Sequence, residues 1–162
     1  MEIGRIEIIF KKYQSITELS SEDVALIEKA KLLAKSAYAP YSKFRVSAVA
    51  SMSDGSFVVG TNQENASYPI GLCAERVLLA AASSVAPGLS ISTMAITYES
   101  DEVDNTAPIA PCGICRQSLL EFESRFGKSM RILLTGTSGL VYEFDAVSAL
   151  LPLGFKAKHL GR

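Results

Sequence analysis

Two short cysteine-led segments restrict this chain more than any other feature. Cys73-Ala74-Glu75 opens CAERVLLAAASSVA, a run over 73–86 that is rich in helix formers and stops at Pro87-Gly88. Pro111 stands ahead of Cys112-Gly113-Ile114-Cys115, and CGICRQSLLEFESRF reads as a second helix with proline at its start. Each segment therefore predicts a helix N-terminus, where free backbone N–H groups and the helix dipole favour thiolate anions. Cys112 and Cys115 are three residues apart and can turn toward one point, the ordinary Cys-Xaa-Xaa-Cys grip on zinc. Cys73 would add a third thiolate from the other helix. Three protein ligands leave one tetrahedral position for water, as in catalytic zinc sites, whereas a structural site needs a fourth ligand. The single histidine, His159, lies far along in the tail and does not suggest coordination.

Glu75 follows two residues after Cys73, close enough to touch metal-bound water without ligating the metal. A carboxylate there can take a proton from water and return it to a ring nitrogen and a leaving amine. Three thiolates on Zn²⁺ give a formal charge of −1, so a neighbouring cation is expected. Arg76 and Arg116 adjoin the cysteines, and Arg76 is the better placed to donate hydrogen bonds to them. Other readings of the cysteines remain: a redox pair, inert buried thiols or a closed structural zinc. Taken alone, Glu75 is an exposed charge at a helix start, Asn62, Glu64 and Asn65 are turn residues, and Phe44 is core.

Composition narrows the partners. The 162 residues fit one domain, 48% hydrophobic and 20% charged, which is the balance of an ordinary globular protein. A net charge of −1 and a pI of 5.9 argue against nucleic acid, whose binding leaves a basic stripe. Lys11–Lys12 and the tail residues Lys156, Lys158, His159 and Arg162 are the only dense basic patches. No apolar run approaches the roughly 20 residues that span a bilayer, so no membrane partner is expected. The first residues, MEIGRIEIIFKKYQ, lack the apolar core and cleavage site of a secretory signal, which predicts a cytoplasmic protein with reduced thiols.

Residues 1–20 read as an extension without an assignable role, in which Ile3, Ile6, Ile8 and Ile9 allow a short strand. A helix is expected from about Ser21 to Ala39, opened by the capping pair Ser20 and Asp23 and stopped by Pro40. Phe44–Ser53 and Ser56–Thr61 predict a hairpin through Asp54-Gly55, with both turn residues at positive φ. Further strands are expected at Ile91–Tyr98, Met130–Thr135 and Val141–Phe144, and a short closing helix at 145–151. Helices alternating with strands, plus a hairpin, predict an α/β fold: a three-layer α/β/α sandwich with a mixed five-stranded sheet. Residues 21–162 form one domain in this reading.

Five ordered motifs, A-P-Y-S-K-F at 39–44, N-Q-E-N-A-S-Y at 62–68, C-A-E-R at 73–76, P-C-G-I-C-R-Q at 111–117 and L-L-P at 150–152, carry a family resemblance. From about Ala39 to Phe155 the chain resembles the cytidine deaminases, in their small, three-cysteine, homotetrameric branch. Zinc deaminases of this type use a non-ligand glutamate as general acid and base. The resemblance implies one zinc per chain on Cys73, Cys112 and Cys115, with Glu75 catalytic. It places Phe44 against the pyrimidine, Asn62 and Glu64 on the ribose hydroxyls, and the Ala74 backbone on the base carbonyl. Arg76 and Gln117 would support the thiolates, Tyr68 would lie at a subunit contact, and Phe155 would reach a neighbouring subunit's site. Ser47, Val49, Gln63 and Ile114 depart from the usual pattern and put substrate breadth and subunit packing in doubt.

The expected reaction is hydrolysis of cytidine or deoxycytidine to uridine or deoxyuridine and ammonia, in pyrimidine salvage. Two rivals stand beside it. The first keeps the fold but acts on blasticidin S or on cytosine in a polynucleotide; the Asn62–Glu64 pair and the missing basic surface speak against these. The second is a non-catalytic zinc-stabilised module.

Overall fold

The computed structural model describes residues 1–161; Arg162, the end of the basic tail, lies outside the described residues. Nine main elements follow one another: β1 (Lys11–Tyr13), α1 (Ser21–Ala34), β2 (Phe44–Met52), β3 (Phe57–Thr61), α2 (Ala74–Val85), β4 (Ile91–Ser100), α3 (Gly113–Phe126), β5 (Arg131–Thr135) and β6 (Val141–Phe144). The strands form one mixed sheet in the order β1-β6-β5-β4-β2-β3, in which only β4 and β5 pair in parallel. Period-two alternation sorts the strand residues onto two faces. Ala48, Ala50, Met94, Ile96, Ile132 and Leu134 pack under α2 and α3. Val49, Ala95 and Leu133 pack under Leu26, Ile27 and Ala30 of α1. The three-layer α/β/α sandwich is the expected one, but its sheet has six strands.

The sixth strand comes from the extension, and from a different stretch than the isoleucines suggested. Lys11–Tyr13 pair antiparallel with β6, while residues 1–10 have no regular structure. Polar anchors decide the place: Lys11 Nζ donates to Glu143 and Asp145, each at 3.0 Å, and Tyr13 Oη donates to Glu143 at 2.8 Å. Burial pushes the Glu143 carboxyl up, but these donors and the adjacent Arg131 outweigh it and hold it below its ordinary value. Arg131 in turn bridges to Asp23 at 2.9 Å.

Other boundaries shift for local reasons. Ser20 Oγ accepts the Asp23 N–H at 3.2 Å, but the Asp23 carboxylate serves Arg131, so only half of a capping box forms. Helix α1 ends at Ala34, five residues early, because the Tyr38 backbone pairs with Asn62 and Glu64. In the hairpin only Gly55 takes a positive φ, 85°; its N–H closes a turn onto Met52, and Asp54 accepts from Ser56 instead of entering left-handed space. The closing helix contracts to a 3₁₀ turn at Val147–Ala149. Ser47 and Val49 fit α1: the Ser47 hydroxyl donates to the Ala30 carbonyl at 2.6 Å, and Val49 joins the α1 core. No helix among the described residues is long and apolar enough to cross a membrane.

This topology fixes where the two cysteine-led helices begin. β3 and β4 both run antiparallel to β2, so they point the same way, and α2 and α3 start at the same edge of the sheet. The carboxyl edge of such strands is where open α/β sheets bind ligands. Gly60 of β3 sets the approach of α2, since a Cβ there would collide with the Ala74 carbonyl oxygen and the Leu78 backbone. Gly60→Ala should therefore cost about 3 kcal/mol, at the upper end for overpacking, and should loosen zinc retention by tilting the start of α2. Urea unfolding together with metal analysis checks both; an unaltered midpoint would show that α2 does not rest on this glycine.

Candidate active site

Cys73 and Cys112 are the N-cap residues of α2 and α3, in extended backbone conformation at φ −73° and −64°. Their carbonyls accept the first helical N–H bonds, from Val77 and Arg116, while neither thiol caps its own helix. Both sulfurs are therefore free to point outward, and Cys115 presents a third from the first turn of α3. The three Sγ atoms lie within 4.8 Å of one another, the Cys73–Cys112 pair 3.8 Å and the Cys112–Cys115 pair 3.3 Å apart. Sulfurs about 2.3 Å from a tetrahedral ion stand roughly 3.8 Å from each other. The donor set fits zinc in chemistry and in spacing.

Cys73 and Cys115 shift in opposite directions. Sulfur hydrogen bonds from Cys115 and Cys112, aided by the positive charge of Arg76, pull Cys73 down to about 6 against its burial. Cys115 is pushed up by its bond to Cys73 and by burial. Three thiolates cannot coexist here unless a cation joins them. Glu75 is 4% exposed, and its burial raises the carboxyl above its ordinary value, with the Cys73 charge adding to the effect.

A cavity of about 640 Å³ opens above the cysteines. It brings together Asn62, Glu64, Cys73, Ala74, Glu75 and Cys112 from the sequence-predicted set, and Tyr68 and Gln63 at its rim. Asn62 clasps the start of β2: its Oδ1 accepts the Val46 N–H at 2.7 Å and its Nδ2 donates to the Phe44 carbonyl at 2.9 Å. One amide hydrogen and one lone pair remain for a ligand. Glu64 accepts the Tyr41 N–H at 2.9 Å and both the N–H and the hydroxyl of Ser42. Burial works against ionisation of Glu64, but these donors prevail and lower its pKa.

Other predicted residues stand elsewhere. Phe44 is outside the lining; its ring stacks on Tyr98 with centroids 4.9 Å apart, and Val46, two residues on, forms that wall. Arg76 borders a separate cleft between α2 and α3, and acts on Cys73 through charge. Gln117 Nε2 donates to the Phe155 carbonyl at 2.8 Å. Phe155 is 55% exposed and lies outside this chain's own cavity, and Ile114 is exposed as well. Arg116 binds the Pro111 and Leu150 carbonyls.

Sequence reasoning missed Tyr41, Ser42, Ile109 and Ala110, which also line the cavity. Tyr41 and Ser42 sit inside a quoted motif, so their neighbourhood was visible although their contact with Glu64 was not. Nothing beyond proximity to Pro111 marked Ile109 and Ala110.

The family model described as "Cytidine and deoxycytidylate deaminase zinc-binding region" matches residues 20–128, which contain all three cysteines and Glu75. The chain belongs to this family. A cytidine deaminase of Sporosarcina psychrophila is 37% identical over 136 residues, covering 83% of this chain and 92% of that one. A cytidine deaminase of Halalkalibacterium halodurans is 36% identical over 135 residues, 83% of this chain and 95% of the relative. The crystal structure of cytidine deaminase from Burkholderia pseudomallei superposes with a TM-score of 0.70 at 36% identity, over 85% of this chain and all of that one. The Mycobacterium tuberculosis cytidine deaminase structure gives 0.65 at 32% identity, covering 84% and 98%. Family and donor set together make this a zinc deaminase, with one zinc per chain on Cys73, Cys112 and Cys115.

Cys115→Ser should weaken zinc binding by more than the roughly 10–100-fold that loss of an outer partner costs. Chelator competition measures this; retention at wild-type affinity would remove Cys115 from the ligand set.

Proposed function

We propose that the enzyme hydrolyses the exocyclic amine of cytidine and deoxycytidine, releasing ammonia and uridine or deoxyuridine, in the cytoplasm and as part of pyrimidine salvage. The observation that carries this reading is the cavity itself, whose lining combines a buried acid and two cysteines of the three-sulfur metal site with an amide–carboxylate pair. Zinc, when bound, polarises water and so supplies a hydrolytic nucleophile at neutral pH.

Glu75 takes the proton released from water and delivers it to N3 of the base. It then takes the proton of the hydroxyl added at C4 and passes it to the amine, which leaves as ammonia while the C4 carbonyl forms. Its raised pKa suits a group that must hold and return a proton in turn. The Ala74 N–H, at the first turn of α2, contacts the base carbonyl and fixes the amine toward Glu75. Asn62 offers its spare donor and acceptor to one ribose hydroxyl, and Glu64, kept ionised by Ser42 and Tyr41, accepts from another. Val46, which lines the cavity where Phe44 does not, flanks the pyrimidine, and Phe44 backs this strand from its stack on Tyr98. Arg76 lowers the charge felt by the thiolates, and Gln117, by holding the Phe155 carbonyl, orients the C-terminal segment.

The assembly we propose is a homotetramer. Tyr68 and Phe155 are large and exposed in the single chain, and in the proposed assembly Phe155 reaches into a neighbouring subunit's cavity.

Glu75→Gln should keep about one zinc and lose cytidine turnover by at least about 10²–10⁴-fold, followed as cytidine absorbance gives way to that of uridine. Full activity in that variant would end the mechanism, and a wild-type protein that neither binds nor converts cytidine would favour the non-catalytic reading. Sedimentation of the zinc-loaded enzyme should give the mass of four chains, with Phe155→Ala lowering kcat/KM; an active monomer would contradict the shared site.

A further inference from the structure

The family match begins at residue 20, so the segment before it is outside the part that the family model accounts for. In the structure Ile8 and Phe10 of that segment line a second cavity, which shares two residues with the catalytic one. Phe10 lays its ring against Tyr142 and Phe144 of β6, with centroids 5.0 and 5.3 Å apart. With Ile8 it closes one side of a second, mostly apolar cavity of about 310 Å³, whose other side includes Pro108, Ile109 and Ala110. Ile109 and Ala110 also line the catalytic cavity. These two residues are thus a thin partition, with the substrate space on one side and the N-terminal segment behind the other. Cys112 follows only two residues later.

None of the described hydrogen bonds involves residues 107–110, whereas the flanking Asn105 and Pro111 carbonyls are both held, by Thr137 and Arg116. The partition is thus tied at its two flanks and not along its length among the described hydrogen bonds. The N-terminal segment is itself fixed beside it, since Lys11 and Tyr13 tie β1 to Glu143. Its outer edge is short and carries Lys12, features that discourage pairing with another strand. Ile8 and Phe10, 49% and 44% exposed, are the residues of this segment that line the apolar groove, next to the anchor at Lys11 and Tyr13.

We propose that Phe10, supported by Ile8, is a positioning residue that braces the Ile109–Ala110 wall and so sets the substrate fit of the cavity. This rests on the reading of that cavity as the nucleoside site. Removing the ring lets the wall retreat into the space behind it, which weakens substrate contact without touching Glu75 or the zinc ligands.

The test compares Phe10→Ala, Phe10→Tyr and Ile9→Ala in the zinc-loaded full chain; Ile9 is 78% exposed and outside the cavity lining, so it controls for the segment in general. Phe10→Ala should raise KM for cytidine about tenfold with kcat within about twofold, the pattern of lost ground-state binding. Amide exchange in the stretch 105–113 should quicken in Phe10→Ala alone, and Phe10→Tyr should restore both quantities. Unchanged exchange in Phe10→Ala, an unchanged KM, or an equal effect from Ile9→Ala would overturn the proposal. Should the wild-type enzyme not convert cytidine, the nucleoside reading falls by itself, and the exchange measurement still decides whether Phe10 holds the wall.

Discussion

The structure depends on two helix N-termini meeting at one edge of a sheet. A thiolate is costly to bury alone, and three of them repel one another, so the site exists only because backbone and fold collect sulfurs where a cation can join them. β3 and β4 run in the same direction, which sends α2 and α3 off from the same edge. Cys73 and Cys112 are the cap residues of these helices and leave their thiols uncommitted to capping. Gly60 lets α2 come close enough for the two starts to converge.

Placing Glu75 in the first turn of α2 has a second consequence. The turn that supplies a zinc ligand also buries the carboxyl, and burial raises its affinity for a proton. The acid is thus tuned by the packing that builds the metal site. The second carboxylate of the lining shifts in the reverse sense. Glu64 is surrounded by donors from residues 41 and 42, which keep it ionised, and Asn62 fastens β2 while retaining hydrogen-bonding capacity. Two carboxylates in one lining, in two environments, therefore shift in opposite directions.

Comparison of the elements with the sequence reading shows where local information suffices. The Cys-Xaa-Xaa-Cys spacing, the helix starts and the strand-forming runs of β2, β4 and β5 are short-range patterns, and the structure follows them closely. The misplaced features depend on distant partners. Helix α1 stops early because Tyr38 finds the backbone of 62–64, and the first strand settles at Lys11–Tyr13 because Glu143 and Asp145 stand across from it. The isoleucines nearby pointed to the wrong stretch because apolar spacing carries no information about where a buried carboxylate will be.

The sequence by itself determined the chemistry: which residues are zinc donors, which carboxyl lies next to them, and an α/β architecture able to present them, since residue type and spacing along a helix decide these. Only the tertiary structure decided the sixth strand, the stacking of Phe44 on Tyr98, and the Ile109–Ala110 wall backed by Phe10. Those features join residues tens of positions apart through side-chain packing and partly exposed ion pairs, and such contacts leave no periodic trace in the chain that makes them.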